Sequence, residues 1–167
     1  MTIEKAIKTA IEYEIKIRDI YREAEASVDD EVGKRIFKTL GDDEQGHIDY
    51  LRHKLEQLET NGKIIPERLE SAVPSRETVD KEAAKVKSLV EKDFLGIRQQ
   101  MLSKALKMEI ETSAFYQKIV TELPAEGRDL FARFLEIENN HIKAVQFEID
   151  YIGNTGYWFD FKEFDME

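Results

Sequence analysis

Six side chains of metal-ligating type recur at regular places in this chain: Glu14, Glu44 with His47, Glu109, and Glu138 with His141. In Glu-x-x-His the two residues are three apart, so on a helix both side chains leave one face and reach one ion. All six also fall within apolar stripes of helical period. In the first stripe Ile3, Ile7, Ala10, Glu14, Ile17, Tyr21 and Ala24 alternate spacings of four and three, which is the inward seam of a bundle helix. A carboxylate in mid-seam, where Leu or Ile belongs, demands a partner. Burying one ionised and unpaired costs several kcal/mol, and four would overwhelm the ~5 to 15 kcal/mol net stability of a domain. No Lys or Arg stands at the central seam positions. Two divalent cations would balance four carboxylates, and neutral imidazoles add no charge. Oxygen-rich sites with two imidazoles suit iron or manganese, with zinc as a competitor.

The elements that must position these residues are helices. The absence of Gly and Pro over 2–26 predicts a first helix there. Ser27, Asp29, Asp30 and Glu31 supply a cap and first-turn acids for a second, over about 29–60. Gly62, Pro66 and Pro74 mark an irregular crossover over 61–77, and Val79, Ala83, Val86, Val90 and Phe94 continue it as a further helical piece, so the whole connection covers about 61–95. A third long helix is predicted over 97–122, a stop at Leu123, Pro124, Ala125, Glu126 and Gly127, and a fourth helix over 128–152. The fold class is therefore all-α, a four-helix bundle with a long crossover between its second and third helices. The chain also repeats itself. Ala10, Glu14 and Tyr21 fall on Ala105, Glu109 and Tyr116 at a shift of 95, and Phe37, Leu40, Glu44, His47 and Leu51 fall on Phe131, Phe134, Glu138, His141 and Val145 at a shift of 94. Two helical hairpins joined by a connection that can cross the ~35 to 40 Å of a 25-residue helix pack with opposite polarity.

Composition narrows the partners. With 167 residues, 41% apolar and 36% charged, the chain suits one bundle domain over 1–152 followed by a tail over 153–167. A net charge of -10 argues against nucleic acid, whose binding rests on concentrated basic surface. The absence of Cys removes disulfides, thiolate zinc sites, iron-sulfur clusters and thiol catalysis. No apolar run of ~18 residues and no leader-like N-terminus are present, so the expectation is a cytoplasmic protein with no membrane partner. The tail carries Tyr157, Trp158, Phe159, Phe161 and Phe164, too apolar for a free end, and is expected to dock on the bundle or on a neighbouring subunit. A homo-oligomer, most simply a homodimer, follows from that tail and from the amphipathic helices.

The patterns Glu14 to Tyr21 and Glu109 to Tyr116, with Glu44-Gln45-Gly46-His47 and Glu138-Asn139-Asn140-His141, resemble the ferritin-like di-iron carboxylate superfamily, and most closely its rubrerythrin-like branch, over about residues 2–152. The resemblance implies two iron ions per chain, with manganese or zinc as alternatives. It implies that Glu44 and Glu138 bridge them, that Glu14 and Glu109 are terminal carboxylates, and that His47 and His141 each give one imidazole. It further implies an oxidoreductase that reduces hydrogen peroxide or dioxygen, or else a ferroxidase serving iron storage or delivery. Two departures stand out. Full rubrerythrins carry a Cys-paired rubredoxin-like module, and this chain has no Cys, so electrons must come from an external donor, rubredoxin-like or another reductase. Rubrerythrins also typically place a carboxylate one turn after the third-helix Glu and another at the position of His141; here Thr112 and His141 stand there, a more symmetrical set that is similar to bacterioferritin-like sites.

The neighbours have simpler expectations. Glu12 and Glu111 lie about 200° around their helices from Glu14 and Glu109 and belong on the solvent side. Tyr21 and Tyr116, two turns beyond Glu14 and Glu109, share their face, where each hydroxyl can bond a ligand carboxylate from another helix. Asp43, four before His47, can orient its free ring nitrogen, although its counterpart before His141 is Ile137. His53 has Tyr50 rather than Glu three before it and is expected at the surface. Gly41 and Gly46 cost roughly 1 kcal/mol each in a helix and point to close packing or room for a small oxidant. Lys81, Lys85, Lys87 and Lys92 are interleaved with acids and read as a solvated helix face.

Overall fold

The computed structural model describes residues 1–85 and 96–165. Among them are five α-helices and one 3-10 helix and no strand: α1 Ile3–Ser27, α2 Glu31–Asn61, α3 Arg76–Ala83, α4 Ile97–Glu122, α5 Ala125–Thr155 and the 3-10 helix Phe161–Asp165. α1 packs along α2, α4 along α5, and α1 along α4, so two hairpins meet face to face. This is the expected all-α four-helix bundle, with its long crossover between the second and third long helices.

Local chemistry sets the boundaries. Thr2 caps α1 by accepting from Lys5 N (3.2 Å). α2 starts two residues later than 29 because Asp30, rather than Ser27, is the residue whose carboxylate accepts from Gly33 N (3.0 Å); Ser27 instead donates to Glu23 O and closes α1. The fourth long helix is longer than 128–152 at both ends. The third long helix stops at Glu122 as expected, but Pro124 already leads into the next, its φ of -66° suiting the position before the first helical residue. Gly127 stays helical, and the space of its missing side chain is taken by Ile3 and Leu123, whose carbons lie 3.0 and 3.1 Å from where a Cβ would be. Both α2 and α5 run 31 residues and end on a left-handed glycine, Gly62 (φ 69°) and Gly156 (φ 79°), so the duplication extends to the stops.

Over 62–75 the crossover is irregular as expected, and the short helix α3 that follows contains Val79 and Ala83. Val86, Lys87, Val90, Lys92 and Phe94 lie outside the described residues. The crossover is stitched to the bundle by polar contacts: Tyr50 Oη donates to Glu67 O (2.5 Å), Ile64 N to Glu126 (2.8 Å), Arg133 Nε to Leu69 O (3.0 Å) and Arg76 N to Asn140 (2.9 Å). Lys54 is fully buried and donates to Ile65 O, Gln57 and Glu67. It is a seam cation, but it stands two turns beyond His47 and neutralises the crossover rather than the mid-seam acids.

The core divides in two. One apolar cluster holds Ile17, Tyr21, Phe37, Leu40, Leu102, Ala105, Ala144 and Val145; the other holds Ile7, Ala10, Leu51, Tyr116, Ile119, Phe131, Phe134 and Ile137. On every long helix the metal-ligating residues lie between these two sets. The tail folds back onto the first cluster. Trp158, Phe159, Phe161 and Phe164 are buried there, Trp158 edge-on to Phe37 (5.3 Å) and Phe159 edge-on to Phe147 (5.1 Å), and Arg35 pairs with Asp160 (2.9 Å). Tyr157 alone among the tail aromatics points to solvent.

Candidate metal centre

Four helices bring Glu14 (α1), Glu44 and His47 (α2), Glu109 (α4), and Glu138 and His141 (α5) to one place with no exposed surface on any of them. They form two overlapping sets. Glu14, Glu44, His47 and Glu138 offer donor atoms within 4.8 Å of one another, and so do Glu44, Glu109, Glu138 and His141. Glu44 and Glu138 are common to both, the position a bridging carboxylate takes, and each set adds one further Glu and one His. The imidazoles face each other (5.4 Å, 20°) with Glu44 between their inner nitrogens. His47 Nδ1 lies 3.0 Å from Glu44 Oε2 and 3.2 Å from Glu14 Oε2; His141 Nδ1 lies 2.7 Å from Glu44 Oε1 and 3.3 Å from Glu109 Oε1.

The outer nitrogens share one partner. Asp43 Oδ2 lies 2.7 Å from His141 Nε2 and 3.5 Å from His47 Nε2. One carboxylate on α2 thus hydrogen-bonds His141 and faces His47, whose Nε2 has no hydrogen-bond partner among the described residues, and Ile137 stands at the equivalent place on α5. Sequence spacing pointed from Asp43 only to His47, whereas the shorter contact is to His141 across the bundle. Asp43 is fixed in turn by Ser71 Oγ (2.7 Å) and Ala72 N (2.9 Å) of the crossover, two donors that no helical period reveals. The tyrosines cross over as well: Tyr21 Oη donates to Glu109 (2.5 Å) and Tyr116 Oη to Glu14. Each hairpin therefore steadies the carboxylate of the other.

The electrostatics show what the cluster lacks. Burial opposes charge on both imidazoles, yet Glu44 with Glu14 around His47, and Glu44 with Glu109 around His141, raise them well above the usual histidine range. Burial together with Glu109, Glu14 and Glu44 pushes Glu138 well above the carboxylate range, and burial with Glu14 raises Glu44. Glu14, despite its burial, is held low by hydrogen bonding with Glu44 and by His47. Asp43 is likewise held low, against its burial, by hydrogen bonds and charge from His141 and His47. Without metal, then, protons on His47, His141 and Glu138 stand in for cations. Both oxygens of Glu44 and of Glu138, and Oε2 of Glu109, are buried and make no hydrogen bond among the described residues, Glu44 having only its ionic contacts with the two imidazoles. Native interiors seldom leave such atoms unmet, and a pair of divalent ions fits this donor set.

The rubrerythrin family model matches residues 5–147. The chain belongs to the rubrerythrin family. No curated protein and no solved structure gives a significant match. Membership places the bundle in the ferritin-like di-iron superfamily, and the buried carboxylate and histidine cluster is compatible with a di-iron site. Among the described residues no helix is long and apolar enough to cross a membrane.

The neighbouring residues divide cleanly. Glu12, Glu111 and His53 are exposed and remote from the cluster's interior. Thr112 is buried and donates to Met108 O (2.9 Å), so no carboxylate stands one turn after Glu109. Gly41 does mark close packing, with Tyr21 Cβ 3.4 Å from where its own Cβ would be. Gly46 marks neither packing nor an oxidant chamber: it faces solvent, with nothing within 4 Å. Glu148, fully buried on α5, was not singled out by spacing; its Oε2 accepts from Phe159 N (3.2 Å) and its Oε1 has no partner. It stands 94 residues after Lys54, so the two matched positions each anchor the segment that follows their helix.

Proposed function

We propose that this chain is a di-iron oxidoreductase that reduces hydrogen peroxide or dioxygen at the buried cluster, with electrons from an external donor. The observation that carries the proposal is the pair of overlapping ligand sets, each with its own imidazole and both sharing the carboxylates of Glu44 and Glu138, which make no hydrogen bond among the described residues. Two redox-active ions bound side by side supply two electrons to an O–O bond together, so the oxidant is reduced without release of a one-electron product.

The chain's own residues do the rest. Glu44 and Glu138 hold the shared position, and Glu14 and Glu109 the outer ones. Asp43 accepts from His141 Nε2, which fixes the tautomer that leaves Nδ1 of that ring free as a ligand, and its charge faces His47 Nε2 at 3.5 Å. Tyr21 and Tyr116 stay protonated, since burial and the nearby carboxylates raise both phenols, and so remain donors to Glu109 and Glu14. Phe134 packs edge-on against His47 (5.4 Å) and helps exclude water.

Iron oxidation for storage or delivery is the second reading. Thr112 favours it, because the centre is left with one Glu and one His per half around its two shared carboxylates.

The test begins with elemental analysis of protein loaded anaerobically with ferrous iron and desalted, beside a Glu44→Ala, Glu138→Ala double variant. About two irons per parent chain and near none in the variant establish the centre. Peroxide and dioxygen are then compared with and without reductant. Turnover limited by added reductant supports the oxidoreductase; oxidation of many irons per chain supports the second reading. Equal, low metal in parent and variant overturns both.

A further inference from the structure

The aromatic tail has no part in the centre described so far, yet it delivers the chain's single tryptophan to the end of a row of rings that starts there. Tyr21 donates its phenol proton to Glu109 (2.5 Å). Its ring lies 6.4 Å, centroid to centroid, from Phe37, and Phe37 lies 5.3 Å from Trp158. Tyr21 and Phe37 are fully buried; Trp158 retains 7% exposure, so the row runs from the centre to the edge of the fold. Gly33 makes room for it, because a Cβ there would stand 2.7 Å from Trp158 Cε2.

The duplication supplies an internal comparison. Tyr116 and Phe131 repeat Tyr21 and Phe37, with rings 5.7 Å apart. The residue 94 before Trp158 is Ile64, which lies in the same apolar cluster as Phe131. An aliphatic side chain cannot give up an electron under these conditions, whereas an indole can. Tyr116 also leads through Phe115 (5.5 Å) to the half-buried Tyr13 (4.9 Å), but that branch ends on a phenol.

We propose that Tyr21, Phe37 and Trp158 form a one-electron route between Glu109 and the docked tail, and that Trp158 is an oxidative modification site which supplies electrons when the external donor is exhausted. This rests on the oxidoreductase reading above. Tyr21 is suited to the inner step because its proton can shift to Glu109 as its electron leaves and return when Trp158 refills it. At the outer end Nε1 is buried with no acceptor among the described residues, so the oxidised indole keeps its N–H proton until the water that adds to the ring carries it away. The balance closes: peroxide takes two electrons and two protons to become two waters, and Trp158 gives two electrons and two protons as water adds to its ring. The net change is one oxygen atom on Trp158 and one water released per peroxide.

The test uses iron-loaded protein given hydrogen peroxide without reductant, and reads both peroxide loss and the mass of the peptide bearing Trp158. The expected result is one added oxygen on Trp158, absent in metal-free protein. Phe37→Leu abolishes it at unchanged iron content, and the matched Phe131→Leu leaves it intact. Trp158→Phe moves oxidation back to Tyr21. Peroxide consumed with Trp158 unmodified, with oxygen on Tyr13 instead, or with equal modification in Phe37→Leu, overturns the route while leaving the oxidoreductase reading standing. Peroxide left unconsumed by iron-loaded protein overturns both.

Discussion

Loading this protein with two divalent ions should expel about three protons near neutral pH. The count follows from the cluster. His47 and His141 are raised well above the usual imidazole value by Glu44, Glu14 and Glu109, and Glu138 is raised well above the carboxylate value by burial and its acidic neighbours. All three carry protons in the metal-free chain, and all three must lose them to become ligands. With each proton worth a factor of ten per pH unit, affinity should rise about a thousandfold per unit, or ~4 kcal/mol, until the first of these groups titrates. The same protons make the metal-free fold pH-sensitive. Imidazolium formed in the folded state contributes stability that is fully present below about 6.5 and is lost as pH rises through the raised folded values. Metal-loaded protein lacks that loss, so the gap in melting temperature between loaded and free protein should widen with pH. The assay is anaerobic titration with ferrous iron, and separately with zinc, in weakly buffered solution containing an indicator dye. Calorimetry in buffers of different ionisation heat gives an independent count. Release of less than one proton would refute the reasoning, since the imidazoles would then already be neutral and the buried carboxylates satisfied some other way.

Other outcomes follow from single contacts. Asp43→Asn removes the charge that faces both Nε2 atoms and should weaken metal binding about 10- to 100-fold while the bundle stays folded, as read by competition with a chelator; unchanged affinity would show that the imidazoles need no such partner. Gly46→Ala and Gly33→Ala make the same change in α2 with opposite sign. The first, in open space, should stabilise by ~0.5 to 1 kcal/mol, and the second, forced against Trp158, should destabilise by about 1 to 3 kcal/mol with a shift in tryptophan emission, both by urea denaturation. Burial, with Asp160 and Glu163 nearby, raises Glu148 despite its bond from Phe159 N. The folded state therefore holds a proton that the unfolded chain has lost, and stability should fall as pH rises above about 4.5 toward the raised value. Glu148→Gln should flatten that fall above about pH 4.5, and an unaltered slope would show that Glu148 is already ionised in the fold.

The sequence by itself determined the helices and the face each one buries, because both follow from local period and from residue chemistry. Glu14 recurs in register with Ile7, Ala10, Ile17 and Tyr21, and no neighbour in space is needed to see that it points inward. The stops were less legible. Leu123 and Pro124 do break the chain between α4 and α5, but the break is shorter than it reads, since proline is compatible with a helix start and Ile3 fills the space over Gly127, which is helical. Lys54 and Glu148 were invisible as buried charges, for their partners come from the crossover and the tail, segments with no period.

Tertiary structure alone decided which groups share a partner. Asp43 lies four residues before His47, and helical spacing can offer it nothing else, but packing of α2 on α5 brings His141 closer still, and the crossover adds Ser71 and Ala72. The same holds for Tyr21 with Glu109, Tyr116 with Glu14, and Trp158 over Gly33. A period fixes the direction of a side chain from its own helix axis, whereas a contact between helices depends on their relative height and rotation, which only the packed core sets.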